Sequence, residues 1–411
     1  MYRRILSIAR SSALAIVAVS MFLVAGAQAA VVDKILYNFS SSTGNFPVHG
    51  LAFDAAGNLY GTTPTGGTNN CGTVFQLVPD NTGHWTQNVL LNFTCDTDGG
   101  NPQGGVTIDA QGNLYGTTWL GGVKFHGSVF RLKPLGNGEW EHKILHSFTW
   151  GVDGGQPAGS IILDANGAIY GACFSGGAFG YGSIYQMVAD DQDNWTVNTL
   201  HSFNRDQKDG YNPLSGPVFD AAGNLYGATQ QGGSKGFGIV YQLSKDAQGS
   251  WKEKLVHTFN PANGLDGGYP VASLLIGADG ALYGTTKSGG KSGFYGIAFK
   301  LELISGRWKE SILHSFTNGA DGGQPMAGLI ADASGNLYGT AMSGGSAAGI
   351  VYRLSLTPTG KWAEKVVYAF KDGSDGAKPQ SSLIFDSTGK LYGTTQQGGT
   401  DDMGVIFQVK P

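Results

Sequence analysis

The stretch Asn-Leu-Tyr-Gly-Thr-Thr, residues 58–63, decides the fold because close copies of it recur through the chain. Successive central tyrosines lie 55, 55, 56, 57, 55 and 54 residues apart. They are Tyr60, Tyr115, Tyr170, Tyr226, Tyr283, Tyr338 and Tyr392. A repeat of this length that contains four short strands is typical of a propeller blade, so the sequence predicts an all-β, seven-bladed β-propeller of four-stranded blades.

Four strands are predicted in each copy, and the second copy defines them. Strand a is expected over residues 102–109, strand b over 113–118, strand c over 127–132 and strand d over 140–148. Each run is apolar or alternating, and Gly, Asp, Asn or Pro clusters separate the runs. The predicted blades span residues 47–93, 102–148, 157–203, 213–259, 270–316, 325–370 and 379–409, within a single domain over 30–411.

The seventh copy lacks its own outer strand. A tryptophan-led strand d follows strand c in six copies, whereas the chain stops after strand c of the seventh. Residues 31–39 align with residues 85–93, which form strand d of the first copy. We therefore predict that the N-terminal strand pairs into the last blade and closes the circle, which protects the sheet edge.

Residues 1–29 have the pattern of a signal peptide. Three arginines precede an apolar core at residues 13–24, and a small-x-small cleavage site follows at 27–29. The core is short for a spanning helix, and no second apolar run follows it. We therefore expect a periplasmic or extracellular protein without a membrane span in the mature chain. The general secretory and twin-arginine export routes both stay open.

Charge excludes some partners. Without the three signal arginines, 23 basic residues stand against 30 acidic ones, a formal charge of −7. A mildly acidic surface argues against nucleic acid and against anionic membranes as partners.

The chain has three cysteines. Cys71 and Cys95 fall in two loops expected on one face of the first blade, and an oxidising compartment permits a disulfide between them. Three free thiols are the alternative, because connectivity cannot be deduced from sequence alone. Cys173 replaces a threonine of strand b and is interpreted as a small buried side chain.

The copies resemble the GloVer tandem repeat, which carries the same Gly-Asn-Leu-Tyr-Gly-Thr-Thr, Gly-Gly and Gly-x-Val-Phe-x-Leu segments. In the first copy these segments are residues 57–63, 66–67 and 72–77, and the resemblance extends over essentially the whole mature chain. It implies an exported bacterial repeat protein and transfers no activity. Members often end in a sorting or anchoring segment; an end on strand c favours simple secretion or a periplasmic location.

Repeated acidic and imidazole side chains are the first candidates for a metal site. Six aspartates stand four residues before a proline: Asp98, Asp153, Asp209, Asp266, Asp321 and Asp375. As a ring at the channel mouth they could bind Ca²⁺, which prefers oxygen ligands; the alternative is that each caps its own turn or bonds the next blade. No other cofactor is indicated.

One slot of strand d holds four histidines: His146, His201, His257 and His314. Leucine or tyrosine fills the same slot in other copies, so we interpret it as a half-buried packing position.

Unrepeated side chains in the d–a and b–c loops are the ligand-binding candidates, because these loops share one propeller face. They are Trp119, Lys124, Phe125, His126, Trp150, Phe179, Tyr181, Arg205, Lys208 and Tyr211. Aromatic faces stack on pyranose rings, and cations can meet uronate carboxylates. This composition favours a sugar polymer, with ordinary loop decoration as the alternative.

Three functions follow from these candidates. The leading hypothesis is a monomeric binding or scaffold module for a polysaccharide or another cell-envelope component. Its rival is a carbohydrate-active enzyme. In such an enzyme a lyase would use His126 or Tyr181 as base, and Lys124, Arg205 or Lys208 would neutralise the sugar carboxylate. A hydrolase needs two carboxylates that face each other. Asp206 is the single unrepeated acidic residue in the loops near the aromatic residues, so a lyase is favoured over a hydrolase. The third is a purely structural envelope protein.

Overall fold

A computed structural model describes residues 32–411, and the predicted signal peptide, residues 1–29, lies outside the described residues. Seven antiparallel sheets are arranged as a seven-bladed β-propeller, so the predicted fold class is confirmed. Two short 3₁₀ turns, Pro261–Asn263 and Gly373–Asp375, are the helical elements in this part of the chain. Neither is long and apolar enough to cross a membrane.

Each blade has the strand order a-b-c-d from the axis outward. Strands a are Ala52–Phe53, Thr107–Ile108, Gly155–Leu163, Val218–Phe219, Leu275–Ile276, Ile330–Ala331 and Ile384–Phe385. Strands b are Leu59–Thr63, Leu114–Thr118, Ile169–Ser175, Leu225–Thr229, Leu282–Thr286, Leu337–Ala341 and Leu391–Gln397. Strands c are Thr73–Pro79, Ser128–Pro134, Ser183–Ala189, Ile239–Lys245, Ile297–Ile304, Ile350–Leu356 and Val405–Val409. Strands d are Trp85–Asn92, Trp140–Ser147, Trp195–Ser202, Trp251–Thr258, Arg307–Ser315, Trp362–Ala369 and, in blade 7, Val32–Asn38.

Short two- or three-residue strands extend three blades at their d–a loops. They are Gly210–Tyr211 with Gln231–Gly232, Gly267–Gly268 with Ser288–Gly289, and Ala377–Pro379 with the end of strand b in blade 7.

The glycine of strand b makes room for an aromatic ring on strand c. A Cβ on Gly61 would lie 2.6 Å from Cζ of Phe75, so no side chain larger than hydrogen fits there. The same pairing joins Gly116 to Phe130 in the next blade. The repeated glycine and the repeated Phe or Tyr of strand c are therefore two parts of one packing unit.

The hydrophobic core is divided among the contacts between neighbouring blades, which we call seams. At the seam between blades 2 and 3, Phe148 packs against Tyr185 with ring centroids 5.1 Å apart. The strand-d tryptophans cover the same seams from outside, as Trp195 does against Tyr115 at 6.5 Å. Each blade is stable only beside its neighbours, because most of its apolar surface is buried between blades.

Strand a is shorter than predicted in every blade except blade 3, where it is Gly155–Leu163. In blade 2 it is Thr107–Ile108 instead of residues 102–109. The preceding residues give their carbonyl groups to neighbouring blades: the Gln103 oxygen accepts from Gly159 N at 2.8 Å, and the Gly104 oxygen accepts from Thr62 Oγ1 at 2.8 Å. Backbone groups used between blades cannot extend the ladder to strand b.

The N-terminal strand closes the circle, as predicted. Val32–Asn38 pairs antiparallel with Val405–Val409, and Ile35 lies opposite Phe407. Phe39 N donates to the Gly404 oxygen at 3.0 Å just beyond the strand. The first and last described segments therefore form one sheet, which leaves no open blade.

A backbone hydrogen bond crosses every seam at the start of the segment that leads into strand a. The donor is always the residue before the repeated proline, and its φ lies between 51° and 57°. The acceptor is a carbonyl of the b–c loop of the preceding blade, at 2.7 to 2.9 Å. The seven donors are Phe46, Asn101, Gln156, Asn212, Tyr269, Gln324 and Lys378. A positive φ is costly for residues with a side chain, so this bond helps to hold the conformation.

Candidate functional site

The d–a and b–c loops lie on the same side of the propeller, which we call the loop face. In blade 2 the two loops are hydrogen-bonded to each other, since Leu120 N donates to the Gly100 oxygen at 3.0 Å. The unrepeated aromatic and cationic side chains therefore project from one side of the molecule.

Two aromatic pairs lie on the loop face at the seam between blades 2 and 3. The rings of Trp119 and Phe174 have centroids 5.2 Å apart, and those of His126 and Trp150 are 5.0 Å apart. Both pairs are tilted, and the Trp150 side chain is 42% exposed. Each seam contact thus brings together aromatic side chains that are 24 or 55 positions apart in the sequence.

A third aromatic pair occupies the next seam. Tyr181 and Tyr211 have ring centroids 5.7 Å apart, and the Arg205 guanidinium lies over the Tyr211 ring at 5.7 Å. This cation–π contact holds a positive charge beside the tyrosines. The pairing continues at the seam between blades 4 and 5, where Phe237 and Tyr269 are 5.5 Å apart.

The remaining predicted ligand-binding residues are exposed around these pairs. Phe125 and Phe179 are more than half exposed on the loops of blades 2 and 3. Lys124 and Lys208 are also exposed, and neither forms an ion pair within residues 32–411. Their charges are therefore available to a ligand.

A cavity of about 230 Å³ lies on the propeller axis and is lined by the segments leading into strands a, with Trp119 among its lining residues. His49 is the one ionisable side chain in that lining. Its Nε2 is buried without a hydrogen-bond partner, and burial lowers its pKa to about 4. His49 is therefore neutral at physiological pH.

Sequence reasoning missed His49, although a signal was present. Aligned copies hold Gly104, Gly159, Ser215, Ala272, Ala327 and Ser381 in the same slot. A single imidazole among six small residues breaks the symmetry of the axial lining.

All six repeated aspartates accept hydrogen bonds from their own turns. Four of them are also hydrogen-bonded to the side chain in the repeated slot of strand d, namely Asp153, Asp209, Asp321 and Asp375. The Asp153 carboxylate accepts from Thr149 N at 3.0 Å and is hydrogen-bonded to His146 Nε2 at 3.0 Å. In blade 6 the partner is the Tyr368 hydroxyl, which donates to Asp375 at 2.5 Å. None of the six carboxylates lines the axial cavity. The histidine slot and the aspartate slot, which the sequence treats separately, thus form one unit.

A half-buried glutamate on strand d of the next blade adds a third acid–base group at three seams, and we call each set a seam triad. The seam triads are His201, Asp209 and Glu253; His257, Asp266 and Glu310; and His314, Asp321 and Glu364. Burial raises the pKa of Glu253 and of Glu364 to about 7. In each of these two, one carboxylate oxygen is buried without a hydrogen-bond partner.

We expect Glu364→Gln to raise the melting temperature at pH 8 and to leave it unchanged at pH 4. Folding raises the pKa of Glu364 from 4.5 to about 7, chiefly by burial and then by repulsion from Asp321. The stability linked to the protonated carboxyl is present below pH 4.5 and is lost as the pH rises through 7. The nearby Tyr352 hydroxyl stays protonated over this pH range, because burial raises its pKa above the usual value of 10 for tyrosine. Equal melting temperatures of parent and variant at both pH values would contradict the prediction.

The sequence comparison identifies the repeat. A profile of the Gloeobacter/Verrucomicrobia repeat matches residues 23–213 and 275–411, which together are most of the chain. The chain belongs to the Gloeobacter/Verrucomicrobia repeat family. No curated protein matches this Gloeobacter/Verrucomicrobia repeat protein at a significant level.

Solved structures resemble the Gloeobacter/Verrucomicrobia repeat protein in fold. PorZ of Porphyromonas gingivalis, an essential bacterial surface component of the type-IX secretion system, is 14% identical with a TM-score of 0.52 over 91% of this chain and 48% of PorZ. The gluconolactonase XC5397 of Xanthomonas campestris is 14% identical with a TM-score of 0.41 over 94% of this chain and 93% of its own. A Dyadobacter fermentans protein of unknown function is 15% identical with a TM-score of 0.44, and the match covers 82% of this chain and 96% of the other. At 14% identity the likeness to PorZ shows the fold alone.

Proposed function

We propose that this protein is an exported polysaccharide-binding module that holds an acidic glycan on the loop face of blades 2 to 4. The observation that carries the proposal is the series of aromatic pairs at successive seams, beginning with His126–Trp150 and Tyr181–Tyr211. Aromatic faces bind pyranose rings by stacking, and a series of such faces suits a ligand that itself repeats.

The size of the axial cavity argues against that cavity as the site of a small ligand. Pockets that enclose small molecules are usually about 300–1,000 Å³. The axial cavity, at about 230 Å³, is smaller than that range. The exposed loop face offers a longer surface, and Trp119 connects the two because it both lines the cavity and contacts Phe174.

The charge beside the aromatic pairs supports carboxylates on the glycan. Lys124, Arg205 and Lys208 are exposed around the pairs on a chain whose formal charge is otherwise negative. Cations paired with carboxylates form stronger, charge-assisted hydrogen bonds than neutral groups do. Uronate-containing polymers therefore fit this surface better than neutral ones.

Trp150→Ala is expected to weaken binding of an acidic polysaccharide about tenfold to thirtyfold, because Trp150 supplies exposed stacking area at the centre of the site. The parent is first screened against an array of bacterial and plant polysaccharides, and the affinity of each variant for the bound polymer is then measured by calorimetry. Phe294→Ala is the matched control, since Phe294 is a 74% exposed aromatic in the b–c loop of blade 5, outside the site.

Two results would overturn the proposal. If the parent binds no polysaccharide of the array, a structural or protein-binding propeller is the better account. Equal losses in Trp150→Ala and Phe294→Ala would show that binding is not located on blades 2 to 4. Unsaturated product released by the parent, but not by His126→Ala, would favour the lyase over a module without catalysis.

A further inference from the structure

One of the four repeated histidines lacks the hydrogen bond that the others make. Three of them are bonded through Nε2 to an aspartate Oδ2: His146–Asp153 at 3.0 Å, His201–Asp209 at 3.1 Å and His314–Asp321 at 3.0 Å. In the fourth, Nε2 of His257 lies 3.5 Å from Oδ2 of Asp266 and 3.7 Å from Oε1 of Glu310. Both separations exceed the 2.7–3.2 Å usual for such a bond.

Two side-chain polar atoms at this seam are buried and form no hydrogen bond. Nε2 of His257 and Oε1 of Glu310 are buried and have no hydrogen-bond partner. Burying polar atoms in this way costs free energy unless a partner compensates. A partner placed between them would satisfy both atoms at once.

A longer loop produces the difference. His257 and Asp266 are nine residues apart, whereas the other three pairs are separated by seven or eight. The longer d–a loop contains the 3₁₀ turn Pro261–Asn263, and Asp266 follows it. The symmetry of the repeat is therefore broken at this seam, and a separate role for the seam has to be argued from its local geometry.

We propose that His257, Asp266 and Glu310 bind a Zn²⁺ ion at the seam between blades 4 and 5. One atom from each of the three lies within 4.8 Å of the others. Zinc bonds of about 2.0–2.2 Å in a tetrahedron separate neighbouring donors by about 3.4 Å, close to the distances from His257. One imidazole and two carboxylates leave the fourth position for water or for a ligand group.

The surrounding residues hold the ligands in place. The Asp266 carboxylate accepts from Asn260 N at 2.7 Å and from Gly267 N at 2.6 Å. The His257 ring packs edge-on against Phe259, with centroids 4.7 Å apart. Such contacts orient ligands before the metal arrives, as in established metal sites.

The ion joins two blades. His257 belongs to strand d of blade 4, and Glu310 belongs to strand d of blade 5. An ion that requires both strands binds the folded protein and not the unfolded chain, so it raises the melting temperature. The seam triad of His201, Asp209 and Glu253 lies one seam away and has its His–Asp hydrogen bond made, so it provides an internal comparison.

The test uses untagged, chelator-treated protein titrated with ZnCl₂ by calorimetry and by thermal melting. We expect one equivalent of Zn²⁺ to bind and to raise the melting temperature. Glu310→Gln, which keeps the side-chain shape, is expected to weaken binding at least tenfold and to abolish the zinc-induced rise. Glu253→Gln is the matched control and is expected to retain both. CaCl₂ and MnCl₂ are titrated in parallel.

Three outcomes would overturn the proposal. They are no saturable Zn²⁺ binding by the parent, undiminished binding by Glu310→Gln, and equal loss in Glu253→Gln. Tighter binding of Ca²⁺ than of Zn²⁺ would overturn the assignment of the metal. None of these outcomes depends on glycan binding, so the two proposals stand or fall separately.

Discussion

Deletion of residues 30–40 is expected to lower the melting temperature sharply and to make the protein aggregate. This segment contributes Leu36 and Phe39, which are 7% and 1% exposed, to the apolar cluster between blades 7 and 1. Loss of each buried side chain costs about 1.5–3 kcal/mol. The deletion also exposes Val405–Val409, an apolar strand, as an open sheet edge of the kind that promotes association.

The deletion is measured by thermal melting and by light scattering of the same samples. A synthetic peptide of residues 30–40, added in excess, should restore part of the lost stability by occupying the vacant edge. Lys34→Ser is the control, since Lys34 lies on the same strand with an exposed side chain. A deletion variant that melts like the parent would refute closure by this strand.

Removal of the disulfide between Cys71 and Cys95 is expected to cost about 3 kcal/mol of unfolding free energy. The bond joins the b–c loop of blade 1 to the d–a loop that follows, and the two cysteines are 24 residues apart. A cross-link over a loop of this length restricts the unfolded chain by roughly that free energy. The double variant Cys71→Ser, Cys95→Ser should therefore unfold at a lower denaturant concentration.

Adding reductant tests whether the lost stability comes from the disulfide or from disturbed packing around the two substituted residues. The parent should lose stability when reductant is added, and the double variant should not respond. Cys173→Ala is the control, because Cys173 is a buried free thiol in strand b of blade 3 and its variant should keep the response. A parent protein indifferent to reductant would contradict the prediction.

Strands b, c and d could be predicted from the sequence because their pattern is set by side-chain packing within the blade. Leu-Tyr-Gly-Thr-Thr is buried throughout, and the aromatic of strand c fills the space over its glycine. The start of strand a could not be predicted in the same way. Its backbone partners, such as Gly159 N for the Gln103 oxygen, belong to the next blade, and no local pattern encodes that exchange.

The candidate site was partly predictable for a related reason. Unrepeated aromatics such as Trp119 and Trp150 stand out against the repeat, so the sequence identifies them as candidates. The sequence does not show which rings meet, since His126 and Trp150 become neighbours only across a seam. The His–Asp contacts also could not be predicted, because both residues recur in the repeat and are seven or eight positions apart in different segments.

The seven backbone bonds from the residue before each proline have an evolutionary consequence. Those bonds use only the peptide N–H, so beyond the positive φ, which disfavours β-branched residues, they place no demand on the side chain. The positions are occupied by Phe46, Asn101, Gln156, Asn212, Tyr269, Gln324 and Lys378, which differ in charge, size and polarity. The fold thereby provides one position per blade that accepts many unbranched side chains, so surface chemistry can change there while the architecture stays the same.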